Sequence, residues 1–277
     1  MSRIEKAMEM AVKLRQESGT RPVGTGYVRP AVVHTPPVGS VETERVFSDN
    51  PLLVTLNDPQ SAIAEEYRKM KSILVKLTCG DEFRNTLMVT SSVPGEGKSI
   101  TALNLAVSLA QDYDHTVLLV DADLRRPSIH RYLGVERKKG LAECLTGDAD
   151  LREAITPTGI GRLSVVTVGA LPPNPVELFS SNRMKELLEE IKLRYQDRFV
   201  IFDTPPLLPF AETRTLAHLV DGVVFVIKEQ CATQANIKDS LEALKGCDVL
   251  GVVYNDATMV HDLERYYGYH EYGVKAA

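Results

Sequence analysis

The sequence predicts an α/β fold, a mainly parallel sheet with helices on both faces, and three observations carry that reading. Short, mostly apolar runs, TLMVTS (86–91), TVLLVD (116–121), LSVVTV (163–168), RFVIFD (198–203), GVVFVI (222–227) and VLGVVY (249–254), have the length of strands and little alternation, as strands covered on both faces do. Segments with helical spacing separate several of them, at 98–111, 176–193 and 233–245, and that rhythm belongs to parallel strands joined by helical crossovers. The first strand runs directly into a glycine-bearing loop and then a helix, which places a ligand at the C-terminal ends of the strands.

Composition narrows the functional classes. The 277 residues are 44% hydrophobic and 25% charged, which excludes a wholly disordered chain. Lys+Arg 32 against Asp+Glu 37 leaves a formal charge of −5, so no general attraction to nucleic acid or anionic lipid is expected. No run reaches the roughly 18 apolar residues of a spanning helix. Cys79, Cys144, Cys231 and Cys247 form no CxxC pair, and Met1 is followed by polar and charged residues instead of a signal segment, so a reduced, cytoplasmic protein is expected.

Along the chain, Ser2 and Glu5 have capping-box spacing, and Ile4, Ala7, Met8 and Ala11 share one helical face before Gly19. This short amphipathic helix offers either a partner surface or a weakly packed leader. From Gly19 to Pro59, prolines 22, 30, 36, 37, 51 and 59 and four glycines occur without periodicity, which reads as a flexible surface linker. Asp58-Pro59 then supplies an N-cap and a proline at the first helical position. The helix of about four turns that follows carries Ile63, Tyr67, Met70, Leu74 and Leu77 on one face and the row Glu65, Arg68, Lys71 on another. By composition alone that row is a solvated face, with an inter-subunit ion-pair strip as its alternative.

The loop after the first strand, Ser91-Ser92-Val93-Pro94-Gly95-Glu96-Gly97-Lys98-Ser99, is a P-loop in the strand–loop–helix setting it requires. Residues Pro94, Gly95, Glu96, Gly97, Lys98, Ser99 and Ile100 would surround the phosphates of ATP, all but Pro94 with a main-chain N–H group, at the positive end of the helix. Lys98 would bridge the β- and γ-phosphates and Ser99 would ligate Mg2+. Ser92 stands where the general pattern asks for glycine. Two further strands end in acids, Asp121 and Asp123 after VLLV and Asp203 after FVIF, and parallel pairing brings such ends beside the P-loop, around the metal.

These residues resemble the bacterial tyrosine kinases, P-loop autokinases that regulate capsule and exopolysaccharide synthesis. The likeness covers about residues 60–272. VDADLRRPSIH (120–130) resembles that family's second Walker motif, FVIFDTPP (199–206) its Walker B segment, PPNPVEL (172–178) its proline-rich loop, and Glu65-x-x-Arg68-x-x-Lys71 its oligomerisation motif, with Lys71 in place of a second arginine. The resemblance implies a deviant-Walker, SIMIBI-like P-loop NTPase that uses ATP and Mg2+. It also implies a ring-like homo-oligomer, a transmembrane polysaccharide co-polymerase-type activator, other protein substrates, no nucleic-acid partner, and a place at the inner face of the membrane through that activator. The leader MSRIEKAMEMAVK resembles that of the exosortase-associated type.

In that reading, Tyr266, Tyr267, Tyr269 and Tyr272 are the autophosphorylation sites, in a C-terminal tail whose glycines and charges argue against a packed element. Asp121 is expected to orient the tyrosine hydroxyl as base, with Asp123 and Asp203 on the metal directly or through water. Asn255 resembles the residue that reads adenine in related folds, a turn-forming asparagine being the alternative. Basic residues between Arg125 and Lys139 are a solvated face or a dock for a neighbour's tail. The expected organisation is an amphipathic helix and linker at 1–59, a kinase domain at 60–257 and a mobile tail at 258–277. The rival readings are a partition or septum-placing ATPase switch, whose early P-loop lysine is here Val93, and a nucleotide-dependent scaffold.

Overall fold

The computed structural model describes residues 48–80, 83–195 and 198–258; the N-terminal helix, most of the expected linker and the tyrosine cluster lie outside these residues. A seven-stranded sheet forms the centre, in the order β3-β4-β2-β5-β1-β6-β7. Its strands are β1 (Thr86–Ser91), β2 (Thr116–Asp121), β3 (Ile155–Pro157), β4 (Leu163–Val166), β5 (Arg198–Asp203), β6 (Gly222–Lys228) and β7 (Val249–Asn255). All pairs are parallel except β3 with β4. The antiparallel β3 was not legible as a strand: it is three residues long, half-exposed, and ends in Pro157, tolerable only at a sheet edge.

The period of two along each strand sorts side chains into two cores. Leu87, Val89, Val117, Leu119, Phe199 and Ile201 meet α3 (Lys98–Ala110) on one face. Met88, Leu118, Val120, Val200, Phe202 and Phe225 meet α8 (Asn182–Arg194), α9 (Ala211–Ala217) and α10 (Gln234–Ala243) on the other. The helix α3 is buried along almost its whole length, which fixes the direction in which its N-terminus points.

Several boundaries differ from the sequence reading. The segment 48–58, assigned to the linker, is packed: Leu53 is fully buried, and α1 (Val54–Asn57) is held to α3 where Asn104 Oδ1 accepts from Thr55 N at 3.0 Å and Thr55 Oγ1 at 2.9 Å. The next helix, α2 (Ala62–Thr78), starts three residues later than Asp58-Pro59 suggests, because Ser61 provides the cap by accepting from Ala64 N at 3.2 Å. Ile63, placed on its buried face by spacing, is half exposed. The helix expected at 176–193 is two, α7 (Pro175–Phe179) and α8, because Ser181 caps a new start by accepting from Met184 N. Three short helices fill the stretch left blank between β2 and β3: α4 (Ile129–Leu133), α5 (Leu141–Thr146) and α6 (Leu151–Ala154).

Candidate active site

The site forms where β1, β2 and β5 end. Gly95 and Gly97 adopt φ of 88° and 89°, a left-handed conformation that an L side chain resists, and Gly97 precedes the first residue of α3 without any side-chain cap. The amides of the first helical turn therefore face the loop's interior, the arrangement that binds phosphate. Ser92 fits its glycine position because its backbone is not left-handed.

Two side chains brace this loop from beneath. Glu96 is fully buried, and its carboxylate accepts from Val93 N at 2.8 Å and from Lys228 N, at the end of β6, at 3.3 Å. Burial pushes its pKa up, against the pull of those N–H groups. Asn255 Nδ2 donates to Glu96 O at 2.9 Å and lies so close to Gly97 that a Cβ there would collide with it. The last strand is thereby tied to the P-loop.

The three sequence-predicted acids converge on Lys98. Its Nζ donates to Asp123 Oδ2 at 3.0 Å and Ser99 Oγ at 3.1 Å, and stands 3.7 Å from Asp203 Oδ1. Burial works to lower the lysine's pKa, but the charges of Asp203 and Asp123 prevail and hold it above its ordinary value. Asp121 accepts from Ser128 N, Ile129 N and Asp123 N at 3.0, 3.1 and 3.3 Å. Burial, reinforced by the charge of Asp203 on the neighbouring strand, pushes its pKa up to about 8.

Asp203 is different again: it is 0% exposed and neither carboxylate oxygen makes a hydrogen bond. Burial raises its pKa while Lys98 opposes the rise. Orphaned acid oxygens beside a serine hydroxyl and a lysine, under a cradle of N–H groups, suit a hard divalent cation carried in by a nucleotide polyphosphate. Among the described residues no three acid, His or Cys side chains converge closely enough to cage a metal unaided, so such an ion would draw its remaining oxygens from nucleotide and water.

The row Glu65, Arg68, Lys71, expected to serve oligomerisation, is split by the structure. Arg68 Nε donates to Glu65 Oε2 at 2.6 Å, whereas Lys71 turns inward to Asp112 Oδ1 at 2.7 Å. Pro94 to Ile100 come together as expected, as do Asp121, Asp123 and Asp203; Tyr266, Tyr267, Tyr269 and Tyr272 lie outside the described residues. Sequence reasoning missed Glu212, a buried acid on α9 whose Oε1 takes Arg125 Nε at 2.5 Å and so ties the segment after β2 to the segment after β5. Only the adjacency of the two strands, invisible in sequence, reveals it.

Known proteins resemble this chain in sequence and fold. Residues 82–274 match the ParA family profile described as NUBPL iron-transfer P-loop NTPase. The tyrosine-protein kinase YwqD of Bacillus subtilis is 38% identical over 225 residues, 80% of this chain and 92% of that one. The putative tyrosine-protein kinase CapB of Staphylococcus aureus is 30% identical over 77% of this chain and 92% of its own. For EpsB of Ralstonia solanacearum, a putative tyrosine-protein kinase 33% identical, the match spans 71% of this chain but 26% of that protein. The kinase domain of the Escherichia coli tyrosine kinase ETK superposes with a TM-score of 0.68 at 31% identity, over 75% of this chain and 82% of that one. Septum site-determining MinD from Pyrococcus horikoshii, at 24% identity and a TM-score of 0.53, shares the fold.

Proposed function

Since the chain belongs to the ParA-type P-loop NTPases and, within them, to the bacterial tyrosine-protein kinases, we propose that it is an ATP- and Mg2+-dependent autokinase that phosphorylates Tyr266, Tyr267, Tyr269 and Tyr272 of a neighbouring copy. The observation that carries this reading is the convergence of Lys98 with Asp121, Asp123 and Asp203 at the mouth of the P-loop. A bound Mg-ATP supplies the transferable γ-phosphoryl group and a cation that offsets its charge.

The chain's own residues do the rest. The loop amides from Gly95 to Ile100 and Lys98 would hold the phosphates, and Ser99 and Asp203 would hold the cation, with Asp123 fixing Lys98. Asp121 orients the tyrosine hydroxyl and takes its proton. A carboxyl group whose proton affinity sits near neutrality is suited to that task. Asn255 braces the loop and stands beside the position expected for the base.

Regulation belongs to the same proposal: Glu65 and Arg68 present a half-exposed pair for assembly into a ring, and the kinase acts in exopolysaccharide or capsule synthesis with a membrane-embedded activator. No helix among the described residues is long and apolar enough to cross a membrane. Incubating the purified full chain with labelled ATP and Mg2+ and mapping the modified residues tests the reading. Label on the tail tyrosines is expected; phosphate release without any labelled tyrosine would favour the ATPase switch.

A further inference from the structure

Immediately beyond the site, residues 125–139 carry a concentration of positive charge whose members have separate fates. Arg125 is used inward, on Glu212 and over the Phe210 ring, and Lys139 pairs with Glu153. Arg126, Arg131, Arg137 and Lys138 remain at the surface.

Two of the four, Arg126 and Arg131, are positioned by the site's own carboxylates. Arg126 N donates to Asp123 Oδ1 at 2.9 Å, and α4, which carries Arg131, hangs from Asp121 through Ser128 N and Ile129 N. Arg137 donates to Gly169 O, which sets it against the loop bearing the exposed Leu171. Arg131 and Arg137 flank His130 through the turn that Val135 N closes on His130 O at 3.0 Å, and after burial both guanidinium charges lower the His130 pKa. Glu136 is the exposed acid within the segment.

A basic rim hung from the site's carboxylates fits an acidic peptide that presents a hydroxyl to that site. This chain contains one at 262–272, where Asp262, Glu264 and Glu271 are interleaved with Tyr266, Tyr267, Tyr269 and Tyr272, opposed by Arg265. The chain leaves the sheet at the far end of the row: Thr258, held by Glu229, follows β7, whereas the rim follows β2. Four strand spacings separate them, about 19 Å. A tail crossing to its own rim would pass over the ends of β6 and β1, across the phosphate loop, whereas one from another molecule approaches from outside.

Resting on the kinase reading above, we propose that Arg126, Arg131, Arg137 and Lys138 form the docking surface for segment 262–272 of a second copy of this chain and so select tyrosines in acidic surroundings. The test uses the full chain carrying Arg131→Glu and Lys138→Glu, both remote from the nucleotide contacts. A fluorescent peptide of residues 258–277 is titrated by anisotropy, and transfer to a Lys98→Met acceptor chain is measured in parallel. Expected are about a ten-fold weaker peptide affinity, a matching rise in KM for the acceptor, unchanged kcat and Mg-ATP affinity, and a difference that shrinks as salt rises. A peptide with Asp262→Asn, Glu264→Gln and Glu271→Gln should bind wild type and variant alike. Equal affinity of both proteins for the acidic peptide, or an equal loss with the neutral one, overturns the proposal. So does binding of phosphatidylserine vesicles through the rim with peptide affinity unmoved. If the reversed pair misfolds by circular dichroism, Arg131→Gln with Lys138→Gln takes its place, with a smaller shift of the same sign. Peptide bound through the rim but never labelled by wild type would refute the kinase and leave the dock; labelling indifferent to the rim would do the reverse.

Discussion

Glu96 and Asp203 are both fully buried carboxylates at the same end of one sheet, and they are held in opposite ways. Glu96 has a backbone N–H on each oxygen, from Val93 and from Lys228; Asp203 has no backbone N–H on either and is approached by Lys98, at 3.7 Å, and the Ser99 hydroxyl. A buried polar group without a partner costs about 1–3 kcal/mol; burial raises the pKa of both acids, and only in Glu96 do backbone hydrogen bonds offset part of it. The difference separates what builds the phosphate loop from what is kept ready for a cation and its nucleotide.

The largest expected effect comes from the cation shared by the second group. Lys98→Met should lower tyrosine transfer by at least about 100-fold, because a donor aimed at the transferring phosphoryl group is lost, while circular dichroism remains that of the wild type. Full activity would remove Lys98 from the site.

Exchanging each acid for its amide separates the two roles. Glu96→Gln points an NH2 group at one backbone N–H, so it should cost about 1–3 kcal/mol of stability and weaken ATP binding, read by thermal melting and nucleotide titration. Asp203→Asn should abolish transfer yet raise the melting temperature without nucleotide by about 2–4 °C, corresponding to relief of about 1 kcal/mol in a domain of this size. A fall in both variants would mean that the two acids are structural alike.

Their pH dependence follows from Asp121. Its pKa is raised from 3.8 to about 8 in the fold, so the native state holds a proton that the unfolded chain has released. The stability it contributes is complete below 3.8 and is lost as pH rises towards 8. Wild-type melting should therefore decline across this window, and less steeply in Asp203→Asn, where the neighbouring charge is gone. Identical slopes would show that Asp203 does not act on Asp121.

Much of this site was legible in the sequence for a local reason: the P-loop is contiguous, and Asp121, Asp123 and Asp203 each close an apolar strand. What was not legible depends on partners far along the chain. Glu96 reads as one residue of a loop until β6 supplies Lys228 N, 132 residues away, and Thr55 reads as linker until Asn104 binds it. The start of α2 was misread because Asp58-Pro59 and Ser61 both offer caps, and only the turn at Pro59 decides between them. Lys71 likewise looks like a member of a surface row until the residues after α3 bring Asp112 beneath it.

That last contact gives the smallest expected effect. Lys71→Ala should cost about 0.2–1 kcal/mol of monomer stability, as a partly exposed ion pair does, and leave self-association nearly unchanged. Replacing Glu65 and Arg68, whose pair is more exposed, should reduce self-association in sedimentation while monomer melting barely moves. Equal effects of the two changes on assembly would restore Lys71 to the strip.

Transfer from one copy to the tail of another is tested by mixing two complementary variants, neither of which can label its own tail. One chain carries Tyr→Phe at 266, 267, 269 and 272 and keeps its site; the other carries Lys98→Met and keeps its tyrosines. With labelled ATP and Mg2+, label is predicted on the Lys98→Met chain alone. If neither chain is labelled, although both fold, the Tyr→Phe chain binds ATP and the wild type labels itself, transfer between copies is contradicted.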